Sequence, residues 1–139
     1  MKLALLLLLP AAASFADTCP GGTPLIALDQ QGVAGTTTRS ISVSTSGAWE
    51  VTKSSPQKPP GPRHGCLDKA TLDKAVALVD GAPWTVTQKR ISCRVAPQTW
   101  TEVEIKGKHA YEEKTCGKDV LDDKSAAALA ELHKLFDTL

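Results

Sequence analysis

Four cysteines in a chain of 139 residues constrain this fold more than any other sequence feature. They are Cys19, Cys66, Cys93 and Cys116, and no two of them form the CxxC pair that is typical of zinc sites. An even number of cysteines behind an export signal indicates a disulfide framework. Among the possible pairings we favour Cys19–Cys66 with Cys93–Cys116, because each bond then closes a separate segment. The His-x-Cys spacing of His64 and Cys66 is too unspecific to predict a metal site.

Residues 1–16 carry the pattern of a secretory signal peptide. Lys2 precedes an apolar run over residues 3–9, and the small residues Ser14 and Ala16 occupy the −3 and −1 positions of a cleavage site. We therefore predict cleavage after Ala16 and a secreted or periplasmic protein. The run is shorter than the ~20 apolar residues that span a bilayer. No second apolar segment of the sequence is long enough to span one, so no membrane association is expected once the signal peptide is removed.

The charge balance argues against polyanionic partners. The chain has 16 basic and 15 acidic residues, and the basic residue Lys2 lies in the predicted signal peptide. A nearly neutral chain has no electrostatic footprint for nucleic acid or for an anionic membrane surface. The sequence also has no glycine-rich phosphate loop, and we expect no cofactor. Because no two cysteines form a CxxC pair, we expect no metal either.

Turn-forming and apolar residues divide the chain into three parts. Residues 1–16 are the signal peptide, residues 17–36 form an N-terminal arm rich in Gly, Thr and Pro, and residues 37–139 form a single domain. The apolar residues 24–28 within the arm are compatible with an edge strand. Four prolines and two glycines in residues 53–65 exclude a helix and a central strand, and they predict an exposed loop.

Two amphipathic helices and five strands are predicted. Asp68 caps the first helix and Gly81 ends it, while Asp122 or Asp123 caps the second. The apolar stripes of the two helices are formed by Leu72, Ala75, Val76 and Val79, and by Leu129, Leu132, Leu135, Phe136 and Leu139. Alternating apolar residues predict two strands before the first helix and three between the helices. The fold class is therefore α+β, with a five-stranded antiparallel sheet (ββ-α-βββ-α) packed by both helices.

Residues that could support catalysis occur without the sequence context that catalysis needs. Glu102 and Glu104 lie on one face of a predicted strand, as paired carboxylates of a glycosidase would, but nothing indicates a cleft around them. His64, His109 and His133 are spread over a loop, a strand and a helix, and no serine lies in a nucleophile elbow. We therefore expect a binding protein rather than an enzyme.

The candidate binding surface follows Cys93. This cysteine would anchor one end of the loop at residues 94–98 and Pro97 would stiffen it, so that little conformational entropy is lost on binding. Arg94 and Trp100 belong to residue types that are enriched at interface hot spots. Trp100 is expected on the wetter face of its strand, beside Glu102, and the alternative is that it packs under a loop or under the arm.

The stretch from Ile91-Ser92-Cys93-Arg94 to Thr115-Cys116 is similar to the Streptomyces subtilisin inhibitors. Those proteins place a protease-binding loop directly after a cysteine that is paired to one beyond a hairpin. The resemblance implies that Arg94 and Val95 lie near an exposed loop. The interval between Cys93 and Cys116 is shorter than in that family, and Cys19 and Cys66 lie further apart than its other pair, so we do not assign the chain to it.

We expect a monomeric, disulfide-stabilised secreted protein that binds a protein partner through Arg94, Val95, Pro97 and Trp100. The most concrete version is an inhibitor of an extracellular or periplasmic hydrolase. A structural component of the envelope or cell surface is the alternative, and a small secreted hydrolase is less favoured.

Overall fold

The computed structural model describes residues 19–32 and 38–139, so the predicted signal peptide and its cleavage site lie outside the described residues. The described chain forms eight strands and two helices: β1 (Pro24–Gln31), β2 (Thr38–Ser44), β3 (Ala48–Ser55), β4 (Lys58–Cys66), α1 (Lys69–Asp80), β5 (Val86–Lys89), β6 (Trp100–Ile105), β7 (Lys108–Lys114), β8 (Gly117–Leu121) and α2 (Asp123–Phe136). Neighbouring strands are antiparallel, and their spatial order is β4-β3-β2-β1-β6-β7-β8-β5.

The prediction of a five-stranded sheet is wrong, because the sheet has eight strands. The three additional strands are β1, β4 and β8. Strand β1 lies between β2 and β6 in the interior of the sheet, whereas the sequence allowed at most an edge strand there. Strand β4 occupies most of the predicted loop 53–65, and it lies at the edge, where prolines are tolerated. Strand β8 carries Lys118 and Asp119 and lacks the apolar alternation that would predict a strand.

Both helices begin at residues that the capping pattern predicts. The Asp68 carboxylate accepts a hydrogen bond from the Thr71 amide at 2.8 Å, and this bond lowers the pKa of Asp68. At α2 the cap is Asp122, which accepts hydrogen bonds from the Ser125 hydroxyl at 2.6 Å and the Ser125 amide at 2.9 Å. Both bonds lower the pKa of Asp122. The two carboxylates satisfy amide groups that the first turn of a helix leaves unpaired.

One face of the sheet packs against both helices and forms the core. Val103 of β6 and Leu132 and Phe136 of α2 are each 0% exposed. Other core residues are contributed by five elements: Ile26 and Leu28 of β1, Ile41 and Val43 of β2, Val51 of β3, Ala75 and Val79 of α1, and Leu129 of α2. Because side chains alternate along a strand, Glu102 and Glu104 point to the face away from the helices, as predicted.

Both favoured disulfides are present, Cys19–Cys66 and Cys93–Cys116. The first joins the beginning of the described chain to the end of β4, across a sequence separation of 47 residues. The second spans 23 residues and joins the segment after β5 to the turn between β7 and β8. Two disulfides in a small domain fit a stable protein of an oxidising, extracellular-type compartment. Neither α1 nor α2, the helices of the described ranges, is long and apolar enough to span a bilayer.

Candidate functional site

The segment between β5 and β6, residues 90–99, has no regular secondary structure. Residues 94–98, here called the apex loop, are all exposed, and they include the predicted site residues Arg94, Val95 and Pro97. Val95 is 81% exposed. Among residues 19–32 and 38–139 it is the one large hydrophobic side chain that is exposed to solvent. The structure therefore brings three of the four predicted site residues together on one projecting surface.

The segment 90–99 contacts the turn formed by residues 115–117, here called the clamp turn, at three places. Gly117 lies against the Arg90 carbonyl at the start of the segment, and Cys93 is bonded to Cys116 in its first half. At its end, the Thr99 amide donates to the Thr115 hydroxyl at 2.8 Å, and the Thr115 amide donates to the Thr99 carbonyl at 3.1 Å. The apex loop thus projects from a base that is fixed covalently and by hydrogen bonds.

Gly117 is the one position of the clamp turn where no side chain is tolerated. Its φ is +141°, and a Cβ atom there would overlap the Arg90 carbonyl oxygen. We expect Gly117→Ala to destabilise the protein by about 1–3 kcal/mol and to displace the start of the segment 90–99. Urea denaturation measures the loss of stability, and amide chemical shifts of residues 90–99 measure the displacement.

Gly107→Ala is the matched control for this substitution. Gly107 also has a positive φ of +75°, but a Cβ atom there would meet nothing within 4 Å. The control therefore carries the backbone strain without the overlap. Equal losses of stability in the two variants, with wild-type amide chemical shifts in residues 90–99, would contradict the role of Gly117 in holding the segment.

Trp100, the fourth predicted site residue, lies at the base of the segment and not in the apex loop. It is the first residue of β6, it pairs with Gln31 and Lys114 on the neighbouring strands, and it is half-buried. Its indole Nε1 is fully buried and has no hydrogen-bond partner among the described residues. Trp100 therefore combines the two alternatives considered from sequence, since one part of the ring is packed and another part is accessible.

The carboxylates considered for catalysis lie next to a histidine on the face of the sheet that points away from the helices. His109 Nδ1 is 3.1 Å from Glu102 Oε1, and His109 Nε2 is 4.0 Å from Asp119 Oδ2. Glu102 also lies directly opposite Glu112 across β6 and β7. Such a cluster can orient an imidazole, but no hydroxyl or thiol of the described residues is hydrogen-bonded to His109. Within the same ranges, no group of His, Cys, Asp and Glu side chains is arranged to hold a metal ion.

Two cavities lie away from the apex loop. One, of about 990 Å³, is open and lies beside the Cys19–Cys66 bond, with Trp49, Glu50 and His64 in its lining. The other, of about 530 Å³, lies between α2 and strands β7 and β8. Neither is lined by Arg94, Val95, Pro97 or Trp100. The predicted site is therefore an exposed surface without a cavity. Such a surface suits contact with a protein partner better than enclosure of a small molecule.

Comparison with known proteins adds no family assignment. No protein-family model, no curated protein and no solved structure matches the chain.

Proposed function

We propose that the protein is an exported binding protein whose apex loop docks into a protein partner, most concretely an extracellular or periplasmic hydrolase that it inhibits. The observation that carries this proposal is the attachment of residues 90–99 to the clamp turn beneath an exposed apex. A loop that is already ordered loses little conformational entropy on binding, which is how a small contact area reaches high affinity. In this proposal the protein binds a hydrolase and is not itself a catalyst.

The residues of the apex loop supply complementary kinds of contact. Arg94 offers a long charged donor and Val95 offers apolar surface at 81% exposure, while Pro97 limits the backbone between them and β6. The accessible part of Trp100 extends this surface at the base of the segment. Arg and Trp are enriched among the few residues that dominate binding energy at protein interfaces.

The test begins with capture of binding proteins from the secretome of the source cells and measurement of their affinity for the purified, disulfide-intact protein. We expect Arg94→Ala to weaken binding about tenfold or more, ~1.4 kcal/mol, without changing the melting temperature. Arg63→Ala is the matched control, because Arg63 is exposed on β4 at the opposite edge of the sheet. Inhibition of the captured hydrolase should likewise be weakened about tenfold or more by Arg94→Ala and left unchanged by Arg63→Ala.

Two results would overturn this assignment. One is a partner affinity that is the same for the wild-type protein, Arg94→Ala and Trp100→Ala. The other is a hydrolase activity of the purified protein that survives Arg94→Ala and is lost in Glu102→Gln, since that outcome would place chemistry in the cluster around His109.

A further inference from the structure

The end of the sheet that carries the apex loop has a local excess of positive charge. Lys89 ends β5, Arg90 follows it, and Lys118 is the second residue of β8. These three residues, here called the basic cluster, are all exposed. Residues 86–99 contain one further cation, Arg94, and no carboxylate. Because the whole chain has 16 basic and 15 acidic residues, the excess belongs to this end of the fold and not to the protein in general.

Pairing between β5 and β8 holds the basic cluster together. Lys89 pairs with Asp119, which directly follows Lys118 in the chain. The Arg90 carbonyl lies against Gly117, which directly precedes Lys118. The three cationic residues are therefore neighbours across two paired strands, although Lys118 lies far from the other two in the sequence.

Arg94 lies beside the basic cluster and within the apex loop. It follows Cys93, whose Cα is 5.3 Å from the Cα of Cys116, and Cys116 is two residues before Lys118. The Debye length is ~8 Å at physiological ionic strength, so cations grouped around one turn act together on an approaching molecule. The apex loop therefore projects from a positively charged base.

No carboxylate of the described chain forms an ion pair with these cations. Neither Arg94 nor any residue of the basic cluster is ion-paired among residues 19–32 and 38–139. Glu113 is the one exposed carboxylate of residues 86–99 and 113–119, and it accepts a hydrogen bond from the Tyr111 hydroxyl at 2.9 Å. Asp119 is 4% exposed and presents almost no negative surface. Other cations of the same ranges do form ion pairs: Arg39, Lys69, Lys74, Lys106, Lys114 and Lys134.

We propose that the basic cluster attracts an acidic surface of the partner protein, so that the apex loop docks at a site bordered by carboxylates. This inference rests on the proposed function and specifies the chemistry of the partner. Opposite charges on two protein surfaces accelerate their association and favour one relative orientation. Charges at the rim of an interface act mainly on the association rate, whereas residues at its centre determine how slowly the complex dissociates.

Val95 favours a protein over another kind of polyanion as the partner. It is 81% exposed and lies next to Arg94 in the apex loop. An apolar centre with a polar rim is the usual arrangement of a protein–protein interface. A nucleic acid backbone or a sulfated polysaccharide offers negative charge, but it offers no apolar pocket for a valine side chain.

Amide NMR titration of the disulfide-intact protein tests the proposal with a defined probe. The probe is the peptide acetyl-tetraglutamate amide, which represents an acidic protein surface, and acetyl-tetraglutamine amide is its uncharged control. At ~0.05 M salt, where screening is weak, we expect saturable shifts of the Arg90, Arg94 and Lys118 amides with tetraglutamate. Tetraglutamine should bind about fivefold more weakly or not at all.

Charge-removing variants separate the basic cluster from general surface charge. The triple variant Lys89→Gln, Arg90→Gln, Lys118→Gln should weaken tetraglutamate binding about fivefold or more, and it leaves Arg94 in place. The matched control removes three exposed cations from β3 and β4, at the opposite end of the sheet, by Lys53→Gln, Lys58→Gln and Arg63→Gln. The control has the same net charge as the triple variant and should bind tetraglutamate as the wild-type protein does.

Association kinetics with the captured hydrolase test the same cluster on the complex itself. At ~0.05 M salt the triple variant should associate about fivefold more slowly or worse, with an unchanged dissociation rate. The difference should vanish at ~1 M salt, where the Debye length is ~3 Å. The control variant should associate at the wild-type rate.

The proposal is overturned by equal binding of tetraglutamate and tetraglutamine, or by equal tetraglutamate binding of the wild-type protein and the triple variant. It is also overturned if a heparin tetrasaccharide binds the same residues more tightly than tetraglutamate, since the surface would then suit a sulfated polysaccharide. An affinity for the captured hydrolase that Arg94→Ala leaves unchanged contradicts the proposed function. If Arg94→Ala weakens that affinity while the triple variant associates at the wild-type rate, only the present inference fails.

Discussion

Replacing Cys93 and Cys116 with serine is expected to lower the free energy of unfolding by about 2–5 kcal/mol, as for native disulfides of small secreted domains. The bond links residues 23 apart, and its loss restores conformational entropy to the unfolded chain. It also frees the first half of the segment 90–99 from the clamp turn. Urea denaturation measures the first effect, and faster exchange of the Thr99 amide, which donates to the Thr115 hydroxyl, reports the second.

The double replacement of Cys19 and Cys66 separates these two effects. That bond links residues 47 apart, so its loss should cost at least as much stability. It lies at the end of β4, at the opposite edge of the sheet from β5, and exchange of the Thr99 amide should therefore stay at its wild-type rate under native conditions. If both double variants loosen the segment equally, the Cys93–Cys116 bond has no specific role in holding the apex loop.

Phe136→Ala is expected to destabilise the protein by about 3–5 kcal/mol, the range for truncating a buried aromatic residue. Phe136 is 0% exposed and is the last residue of α2, and its carbonyl accepts a hydrogen bond from Arg39 Nη2 at 3.0 Å. Truncation leaves a cavity where α2 meets the sheet, while the backbone hydrogen bond remains available. The urea midpoint and the m value together measure the loss.

Leu135→Ala is the control for this prediction. Leu135 is the neighbouring residue on α2 and is only half-buried, so its truncation should cost clearly less. A Phe136→Ala variant that is as stable as Leu135→Ala would mean that α2 does not close the core of the domain.

The helices could be predicted from sequence because their signals are local. Asp68 and Gly81 bound α1 within a few residues of its apolar stripe, and Asp122 does the same at the start of α2. The strand count could not be predicted in the same way, because strand pairing depends on distant residues. The prolines of β4 are acceptable only since that strand lies at an edge, and the polar β8 is a strand only because β5 and β7 lie on either side of it.

The candidate sites show the same division between local and distant information. The exposed apex loop could be predicted from Cys93 and Pro97, which are four positions apart in the sequence. The hydrogen bond between Thr99 and Thr115, and the close approach of Gly117 to the Arg90 carbonyl, depend on the register of β6, β7 and β8 and could not be predicted. The cavity of about 530 Å³ could not be predicted from the sequence either, since its lining comes from α2 and from strands β1, β6, β7 and β8.

The two edges of the sheet have a consequence for behaviour at high concentration. Unpaired strand edges act as templates for aggregation. Strand β4, at one edge, contains Pro59, Pro60 and Pro62, which have no amide hydrogen to donate. Strand β5, at the other edge, has four residues and an irregular register between Val86 and Gln88. Neither described edge offers a long row of backbone hydrogen-bond donors to an incoming strand, so we expect the protein not to aggregate at high concentration. We also expect its contacts with other chains to involve side chains rather than strands added to the sheet.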